Sequence, residues 1–196
     1  MSSPPLDGRA ARRLTNRQAV ISAVLSFLAE DVLHPSPRQI SERSGVSERS
    51  IFRYFESLDE LRLSVVATAF GRVAQYLEIP KSLEASVESR ISRIVSDRLT
   101  LFESIGFVAR AARTRELTNP IAVELQQEFR TQMGDQVAAV FAPELAARPE
   151  DEAVALLSAM TVLLSFDAWE LQTRDFCRTS AQVRRGWKCA LAALLA

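Results

Sequence analysis

The spacing of apolar residues is helical along the whole chain, and this periodicity limits the fold more than any other feature of the sequence. Leu125, Phe129, Met133 and Val137, for example, recur at helical spacing, which places them on one face of a helix. No segment shows the sustained alternation of apolar and polar residues, bounded by turn dipeptides, that indicates a strand. The sequence therefore predicts an all-α protein.

Capping residues, prolines and glycines mark where these helices begin and end. Thr15, Ser36 and Thr179 are each followed three positions later by Gln, a pattern in which hydroxyl and amide satisfy backbone groups of the first turn. Pro120 favours a helix start because its ring fixes φ, whereas Gly106 favours a break. About nine helices are predicted, over residues 16–33, 37–44, 48–54, 58–78, 82–105, 107–115, 120–142, 150–174 and 180–195.

The predicted helices differ in length along the chain, which indicates two domains. The second and third are about two turns long, whereas most helices after residue 57 are long and carry wide apolar stripes. Ser, Pro, Gly and Arg dominate the first residues, as in a flexible arm. We therefore expect an N-terminal arm over 1–13, a small helical module over 14–57 and a larger helical bundle over 58–196.

Two apolar surfaces near the C-terminus indicate a dimer interface. Residues 153–166 are apolar nearly all round, so this helix must be buried on several sides. Val183, Trp187 and Leu191 form an apolar stripe on the next helix. A two-fold homodimer buries the same patch twice, and we expect one here, with burial inside a single chain as the alternative.

Composition argues against several other classes of protein. Hydrophobic residues make up 47% of the chain, which argues against disorder. One His and two Cys are too few for most zinc sites, which take four ligands, and no cofactor is predicted. No secretory signal segment is recognisable, and the apolar run 153–166 is shorter than the ~20 residues of a membrane span. We therefore expect no membrane partner and a cytoplasmic location.

Catalytic motifs are also missing from the sequence. There is no G-x-S-x-G, P-loop or G-x-G-x-x-G segment, and the single histidine, His34, lies in the small N-terminal module. A Ser or Cys nucleophile needs a neighbouring base, and none is indicated. A pair of carboxylates stays possible, but nothing in the sequence selects one, and an enzyme is not predicted.

The segment 37–55, PRQISERSGVSERSIFRYF, is typical of a helix-turn-helix. Gly45 falls where the chain must turn sharply, since glycine tolerates a positive φ. Ile40, Val46 and Ile51 are spaced to meet behind that turn. The region from Arg9 to Phe55 also carries eight arginines against four acids, so excess positive charge lies where it can meet phosphate.

The second helix of this motif predicts a DNA-reading face. Capped by Ser47, it would present Arg49, Arg53 and Tyr54 outward together with Glu48 and Ser50, and would turn Ile51, Phe52 and Phe55 inward. Arg binds guanine through two hydrogen bonds, and Ser and Tyr reach phosphates. A helical hairpin that binds no nucleic acid is the alternative.

Because of these residues, the chain from Thr15 to about Val65 resembles the DNA-binding domain of TetR-family transcriptional repressors. The matching pieces are LTNRQAVISAVLSFLAE, ISERSGVSERSIFRYF and SLDEL. The resemblance implies an all-helical homodimer whose first three helices bind double-stranded operator DNA. It also implies that the last two long helices form the dimer interface, and that a small ligand in the C-terminal domain moves the fourth helix. By position, the implied DNA contacts are Arg38, Ser47, Glu48, Arg49, Ser50, Phe52, Arg53 and Tyr54.

The sequence departs from the family pattern at three positions. Leu58 begins the fourth helix, where the family usually has a Lys that holds a phosphate, and Arg62 lies one turn on. Arg49 stands where Gly or Pro is common, and Phe52 replaces a frequent Tyr.

Arg98 lies inside an apolar stripe formed by Ile91, Val95, Phe102 and Ile105. A charge at such a position costs free energy unless it is paired. The arginine is therefore either salt-bridged or extended to solvent, or it binds an acidic ligand in a pocket. The residues predicted to line a site for a mainly apolar effector are Arg98, Phe102, Phe107, Phe129, Met133, Phe166 and Trp169, with plain core packing as the alternative.

The functional prediction is a dimeric repressor that binds a palindromic operator and is released by a small molecule. The alternative is a helical dimer of the same fold that has lost operator binding and acts as a ligand- or protein-binding module, which Leu58 favours.

Overall fold

A computed structural model describes residues 8–78, 86–116 and 120–196, and every regular element in these ranges is helical. The predicted all-α fold is therefore confirmed. The ten α-helices of these ranges are α1 (Gly8–Ala29), α2 (Pro37–Ser44), α3 (Glu48–Tyr54), α4 (Leu58–Val73), α5 (Val87–Glu116), α6 (Pro120–Val140), α7 (Ala142–Ala146), α8 (Glu150–Leu163), α9 (Phe166–Glu170) and α10 (Ser180–Leu195). A 3₁₀ turn, Ala74–Leu77, follows α4, and a π-helical turn, Leu171–Asp175, follows α9.

The chain divides into two compact units. Unit 1 comprises Met1–Arg72 and Phe107–Glu116, and unit 2 comprises Val73–Gly106 and Leu117–Ala196. Unit 1 thus holds α1, α2, α3, nearly all of α4 and the end of α5. Unit 2 holds the first part of α5 and all of α6 to α10.

Helix α1 begins earlier than predicted. Residues 8–13, which were expected to belong to a flexible arm, form its first turns, and residues 1–7 lie outside the described ranges. Thr15 does not cap the helix, because its hydroxyl donates to the Ala11 carbonyl at 3.0 Å. The run of Ala and Arg before Thr15 explains the difference, since both residues are strong helix formers.

The core of unit 1 is built on one side of α1. Most of the second half of this helix is buried, and it packs against α2 and α3. Ile40 of α2, Ile51 of α3 and Leu61 of α4 are all at most 2% exposed. Burial of these aliphatic side chains stabilises three short or medium helices that have little stability alone.

Unit 2 is held together by apolar packing and a few long-range polar contacts. The Arg90 guanidinium donates to the Val140 carbonyl at 2.7 Å and to the Glu144 carboxylate at 2.8 Å. Gln136 is buried and donates its amide to the carbonyls of Tyr76 and Glu78, both at 3.0 Å. These contacts link α5, α6, α7 and the 3₁₀ turn.

Gly106 does not break a helix, in contrast to the prediction, because α5 runs without interruption from Val87 to Glu116. Gly106 instead allows another side chain to pack closely against α5. A methyl group at this position would lie 2.9 Å from two ring carbons of Trp169, closer than side chains approach. The absent side chain therefore allows the Trp169 ring to lie against the backbone of α5.

The single helix predicted over 150–174 is also wrong, because α8 ends at Leu163 and α9 starts at Phe166. Ser165 lies in the break, and its hydroxyl accepts a hydrogen bond from the Ala168 amide at 3.1 Å. This cap gives the backbone an alternative to continuing the helix.

No single helix in the described ranges has the length and apolar character needed to cross a membrane. Two consecutive helical segments, Glu150–Leu163 and Phe166–Asp175, reach that length and apolar character only when they are taken together, and they are bent by 44° relative to each other.

We expect Gly106→Ala to lower the free energy of unfolding by about 1–2 kcal/mol, because the clash with Trp169 outweighs the better helix propensity of Ala. Gly71→Ala is the matched control, since a methyl group there meets nothing within 4 Å, and it should raise stability by up to ~1 kcal/mol. Urea unfolding followed by circular dichroism measures both. Equal stabilisation by the two substitutions would show that the Trp169 ring is not packed on Gly106.

Candidate nucleic-acid interface and effector site

The turn of the helix-turn-helix has the geometry that the sequence predicts. Ser36 and Gln39 form a capping box at the start of α2. Gly45 ends this helix with φ 69°, in the left-handed region that favours glycine. Ser47 then caps α3 by accepting a hydrogen bond from the Ser50 amide at 3.4 Å. Val46, in the turn itself, is buried at 6% exposure.

One face of α3 is exposed. Ile51 and Phe55 are each 1% exposed, as predicted, because positions four apart share the inner face of a helix. Phe52 was predicted to point inward but is 49% exposed, since it follows Ile51 by about a third of a turn. The exposed residues of α3 are Glu48, Arg49, Phe52 and Arg53, and Ser50 and Tyr54 are half-buried.

The Tyr54 hydroxyl lies between donors from two helices. It accepts hydrogen bonds from the Asn16 amide at 3.1 Å and from the Arg53 guanidinium at 3.4 Å. These two bonds, and the positive charges of Arg53 and Arg13, lower the pKa of Tyr54 below its ordinary value. Because both contacts use the oxygen as acceptor, the hydroxyl proton is available for an outside acceptor.

Four other predicted contacts, Arg38, Ser47, Ser50 and Arg53, have partners of their own. Arg38 forms an exposed ion pair with Glu42 one turn on, at 2.9 Å, and this hydrogen bond raises the pKa of Arg38. The Ser47 hydroxyl donates to the Ser50 hydroxyl at 3.1 Å. Arg53 also donates to Ser50 at 3.4 Å. Contact with DNA would therefore exchange weak surface interactions rather than break buried ones.

Two arginines of the same region hold the unit together. Arg17 donates to the Ser64 hydroxyl at 2.9 Å and stacks over the Phe55 ring at 4.7 Å. Arg43 lies over the Phe27 ring at 3.5 Å and pairs with Glu30 at 2.8 Å. The arginine excess near the N-terminus therefore overstates the charge that is free to meet phosphate. Sequence spacing does not separate these roles, because each depends on a residue from another helix.

A cavity of about 50 Å³ lies within unit 1 and was not predicted. Leu58 lines it, as does Arg62, whose guanidinium donates to Asp59 at 2.8 Å. This volume is about a third of the cavity that holds benzene in an engineered protein, so it is small for an effector. None of the seven residues predicted to contact a ligand lines it. The lining residues are Val24, Leu28, Leu33, Pro35, Ile40, Leu58, Leu61, Arg62, Val65, Val66, Val108 and Ala111.

Arg98 is completely buried in unit 2, with 0% exposure. Its Nη2 donates to the Met133 carbonyl at 2.8 Å, but Nε and Nη1 have no hydrogen-bond partner among the described residues. Burial lowers its pKa to about 10, and the charge of Asp97 opposes this shift. The expectation of an arginine that reaches solvent is wrong, because neighbouring side chains cover it. No ion pair within 4 Å is found for it in the part of the chain described.

Three of the five aromatic residues predicted to line an effector site lie together. Phe102 packs against Phe166 and Trp169, with ring centroids 5.7 and 5.9 Å away. Trp187 joins them at 6.5 Å from Phe102. The stripe of Val183, Trp187 and Leu191, which was expected to face a second copy, is thus buried within one chain, as in the alternative. We call Phe102, Phe166, Trp169 and Trp187 the aromatic cluster. Phe129 is half-buried on α6 of the same unit, whereas Phe107 is half-buried and belongs to unit 1.

Comparison with known proteins identifies the fold. No protein-family model and no curated protein matches the chain. Among solved structures, a transcriptional regulator from Rhodococcus sp. Rha1 superimposes with a TM-score of 0.70 over 93% of this chain and 95% of that chain. The two sequences are 16% identical. The chain therefore has the same all-helical fold as this regulator, as the resemblance noted in the sequence implied.

Loss of the Asn16 amide should raise the pKa of Tyr54 towards its ordinary value, because this hydrogen bond is the largest cause of the lowered pKa. Tyr54 and Tyr76 are the two tyrosines of the chain, so Asn16→Ala in a Tyr76→Phe background isolates Tyr54 in an ultraviolet titration. Gln18→Ala, an exposed amide on the same helix, is the control and should leave the titration unchanged. An unchanged pKa in Asn16→Ala would show that the contact between α1 and α3 is absent in solution.

Proposed function

We propose that this protein is a DNA-binding transcriptional regulator, acting as a homodimeric repressor that a small, mainly apolar effector releases from a palindromic operator. The observation that carries this proposal is a helix-turn-helix whose second helix, α3, is buried on the Ile51–Phe55 side and exposes Arg49 and Arg53 on the other. The Rhodococcus protein of the same fold is described as a transcriptional regulator, which supports the regulatory part of the proposal. The same observations favour a binding protein over an enzyme.

The exposed face of α3 has the chemistry of a base-reading surface. Arg49 and Arg53 each offer a guanidinium fork that matches the two acceptors of guanine in the major groove. Phe52, about half exposed, is placed to contact a thymine methyl group. Glu48, in the first turn, repels phosphate and selects against wrong positions rather than adding affinity.

Phosphate contacts are supplied around this face. Tyr54 has its hydroxyl proton available, and the exposed Ser47 hydroxyl can donate to a phosphate once it leaves Ser50. The first turns of α1 add Arg9, Arg12 and Arg13, all exposed. Arg13 acts electrostatically on Tyr54, so positive charge from α1 reaches the end of α3. Arg38 contributes after it leaves Glu42.

A second copy of the chain is the proposed partner of α8 and α10. Helix α8 buries Leu156 and Met160 within its own unit, whereas Val154 and Val162 on other faces are 60% and 69% exposed. The exposed residues of α10 include Gly186, Cys189, Ala192 and Ala193, which are small enough to let another helix approach closely. An exposed apolar patch of this kind marks an interaction surface, and a two-fold axis lets two copies cover it mutually.

The proposed effector site is the aromatic cluster together with Arg98, Met133 and Phe129. An effector releases DNA only if it binds the DNA-incompetent conformation more tightly than the competent one. The cluster packs on α5 at Gly106, and its members come from α5, α9 and α10, with Phe166 at the first position of α9. Occupation of the cluster therefore moves helices rather than a surface loop.

One observation favours a second function, that of a helical dimer which has lost operator binding. Leu58 lines the cavity of unit 1 and offers no amine to a phosphate, and Arg62 is paired with Asp59. Under this alternative, the effector site remains and the partner is a small ligand or another protein.

Selection of duplexes from a random library at moderate salt tests the proposal directly. We expect recovery of a palindrome, because a two-fold dimer presents two recognition helices about one helical turn of DNA apart or more. Affinity for the recovered duplex should fall steeply with salt, since phosphate contacts release counterions. Recovery of nothing above background from folded, dimeric protein would support the alternative instead.

Within that duplex, Arg49→Ala and Arg53→Ala should each weaken binding by about 1–3 kcal/mol and relax the sequence preference at the base they contact. Arg93→Ala removes the same charge from an exposed position of α5 in unit 2 and should leave binding nearly unchanged. Fluorescence anisotropy with a labelled duplex measures all three. Equal losses in all three variants would assign the effect to net charge rather than to α3.

Val162→Glu should dissociate the dimer, because it places a charge in the middle of the proposed apolar interface at a side chain 69% exposed in one chain. Sedimentation equilibrium measures the dissociation constant, and we expect it to rise at least about tenfold. Leu14→Glu, at a position 52% exposed in unit 1, is the control for a surface Glu and should leave the dimer intact. Dimers of unchanged affinity in Val162→Glu would place the interface elsewhere.

A further inference from the structure

Arg98 is a buried cation with most of its hydrogen-bonding capacity unused. A guanidinium carries five N–H donors, and Met133 accepts from one Nη2 hydrogen. Nε and Nη1 have no partner among the described residues. The guanidinium plane has two edges with parallel N–H groups, one formed by Nε and Nη2 and the other by Nη1 and Nη2. Met133 uses one Nη2 hydrogen and therefore occupies one edge. The other edge keeps both of its N–H groups.

On α5, the charge of Asp97 offsets that of Arg98 only in part, and none of the described residues accepts a hydrogen bond from Nε or Nη1. The residues three and four positions away on either side are Ile94, Val95, Leu101 and Phe102, which are apolar and at most 2% exposed. A buried charge without a partner costs several kcal/mol, and natural proteins rarely keep one without a function. Asp97, the preceding residue, attracts the Arg98 charge, but it lies on a different face of the helix and forms its ion pair with Arg93 at 3.7 Å.

We propose that Arg98 is the anchor for a carboxylate, so that the effector of this protein is an organic acid with an apolar body. This inference rests on the effector site of the proposed function and adds the chemical class of the ligand. The free edge of the guanidinium donates two parallel hydrogen bonds to the two carboxylate oxygens, the geometry in which Arg and carboxylate bind most strongly. The single positive charge is then neutralised by a single negative one.

A carboxylate fits this site better than a phosphate monoester. A phosphate carries close to two negative charges near neutral pH, whereas Arg98 provides one positive charge and the charge of Asp97 already acts on it. The second negative charge would stay buried without a partner, which is costly.

The aromatic cluster provides the second half of the site. Phe102 lies one turn after Arg98 on α5, and its ring contacts Phe166, Trp169 and Trp187. The buried Trp169 indole has its own N–H without a partner among the described residues, so a second donor is available for a polar atom of the ligand. Trp169 also lies between the break after α8 and the π-helical turn Leu171–Asp175, and π-turns occur frequently at functional sites.

Matched acids and amides test the inference on the full-length protein without DNA. The probes are phenylacetate with phenylacetamide, and octanoate with octanamide, at millimolar concentration; each amide keeps the shape of its acid and lacks the charge. We expect the acids to raise the melting temperature and to change the fluorescence of Trp169 and Trp187, the two tryptophans of the chain, and the amides to do neither. Phenyl phosphate should have a smaller effect than phenylacetate.

Variants of Arg98 assign the effect to this residue. Arg98→Met removes the charge at similar volume and should weaken acid binding by about tenfold to a hundredfold, the value of one or two charge-assisted hydrogen bonds. Arg98→Lys keeps a charge but loses the parallel N–H pair, and it should also weaken binding, which keeps the test valid if Arg98→Met does not fold. Arg178→Met, at an exposed arginine of the same unit, is the control and should respond like the wild type.

The inference is wrong if acids and amides act alike, if phenyl phosphate acts as strongly as phenylacetate, or if both Arg98 variants keep the wild-type response. Because no DNA is present, these results do not depend on operator binding. An acid-specific response in a protein that selects no duplex would support the carboxylate site and contradict the proposed repressor function.

Discussion

The contact between the Trp169 ring and the backbone of α5 at Gly106 organises unit 2. It requires a residue without a side chain in the middle of a long helix, at a cost in helix propensity of ~1 kcal/mol relative to Ala. Because Gly106 has no side chain, the Trp169 ring lies against α5 beside Phe102 and Phe166. The break between α8 and α9 serves the same contact, because Ser165 caps a new helix that begins with Phe166.

Unit 1 depends on a different constraint, the shortness of α2 and α3. Helix α3 has seven residues and is far too short to be stable alone. It persists because Ile51 and Phe55 are buried, Ser47 caps its start, and Arg17 covers the Phe55 ring. These anchors all lie on the inner side of the helix. Stability and the proposed recognition of DNA are therefore carried by different residues of α3, and the exposed face is free to vary in chemistry.

Local signals explain which parts of the fold were predictable from the sequence. Helices α2, α3 and α10 have the predicted bounds, because each begins at a Ser or Thr cap whose hydrogen bonds stay within one turn. The start of α1, the continuity of α5 at Gly106 and the break at Ser165 were predicted wrongly. Gly106 is informative here, since its reason is a ring sixty-three positions away in the sequence. Periodicity describes one helix at a time and carries no information on such contacts.

The same limit applies to the arginines, which make up all but two of the basic residues. The sequence locates an excess of them near the N-terminus, but it does not reveal that Arg17 and Arg43 stack on the distant rings of Phe55 and Phe27, while Arg49 and Arg53 lie on the exposed face of α3. Arg98 is the exception, because a charge inside an apolar stripe is visible in the sequence. The structure adds what spacing leaves open, that the charge is fully buried and only partly satisfied.

The position of the aromatic cluster in the chain bears on how an effector would act under the proposed function. Trp169 belongs to α9, which connects α8 to the segment leading to α10, and these two helices carry the exposed apolar faces assigned to the second copy. A ligand that displaces Trp169 therefore acts on the connection between the two proposed dimer helices. In a two-fold repressor, the dimer sets the distance between the recognition helices, and that distance must match the spacing of the operator half-sites. A change in dimer geometry is then sufficient to release DNA, and the effector has no need to contact α3.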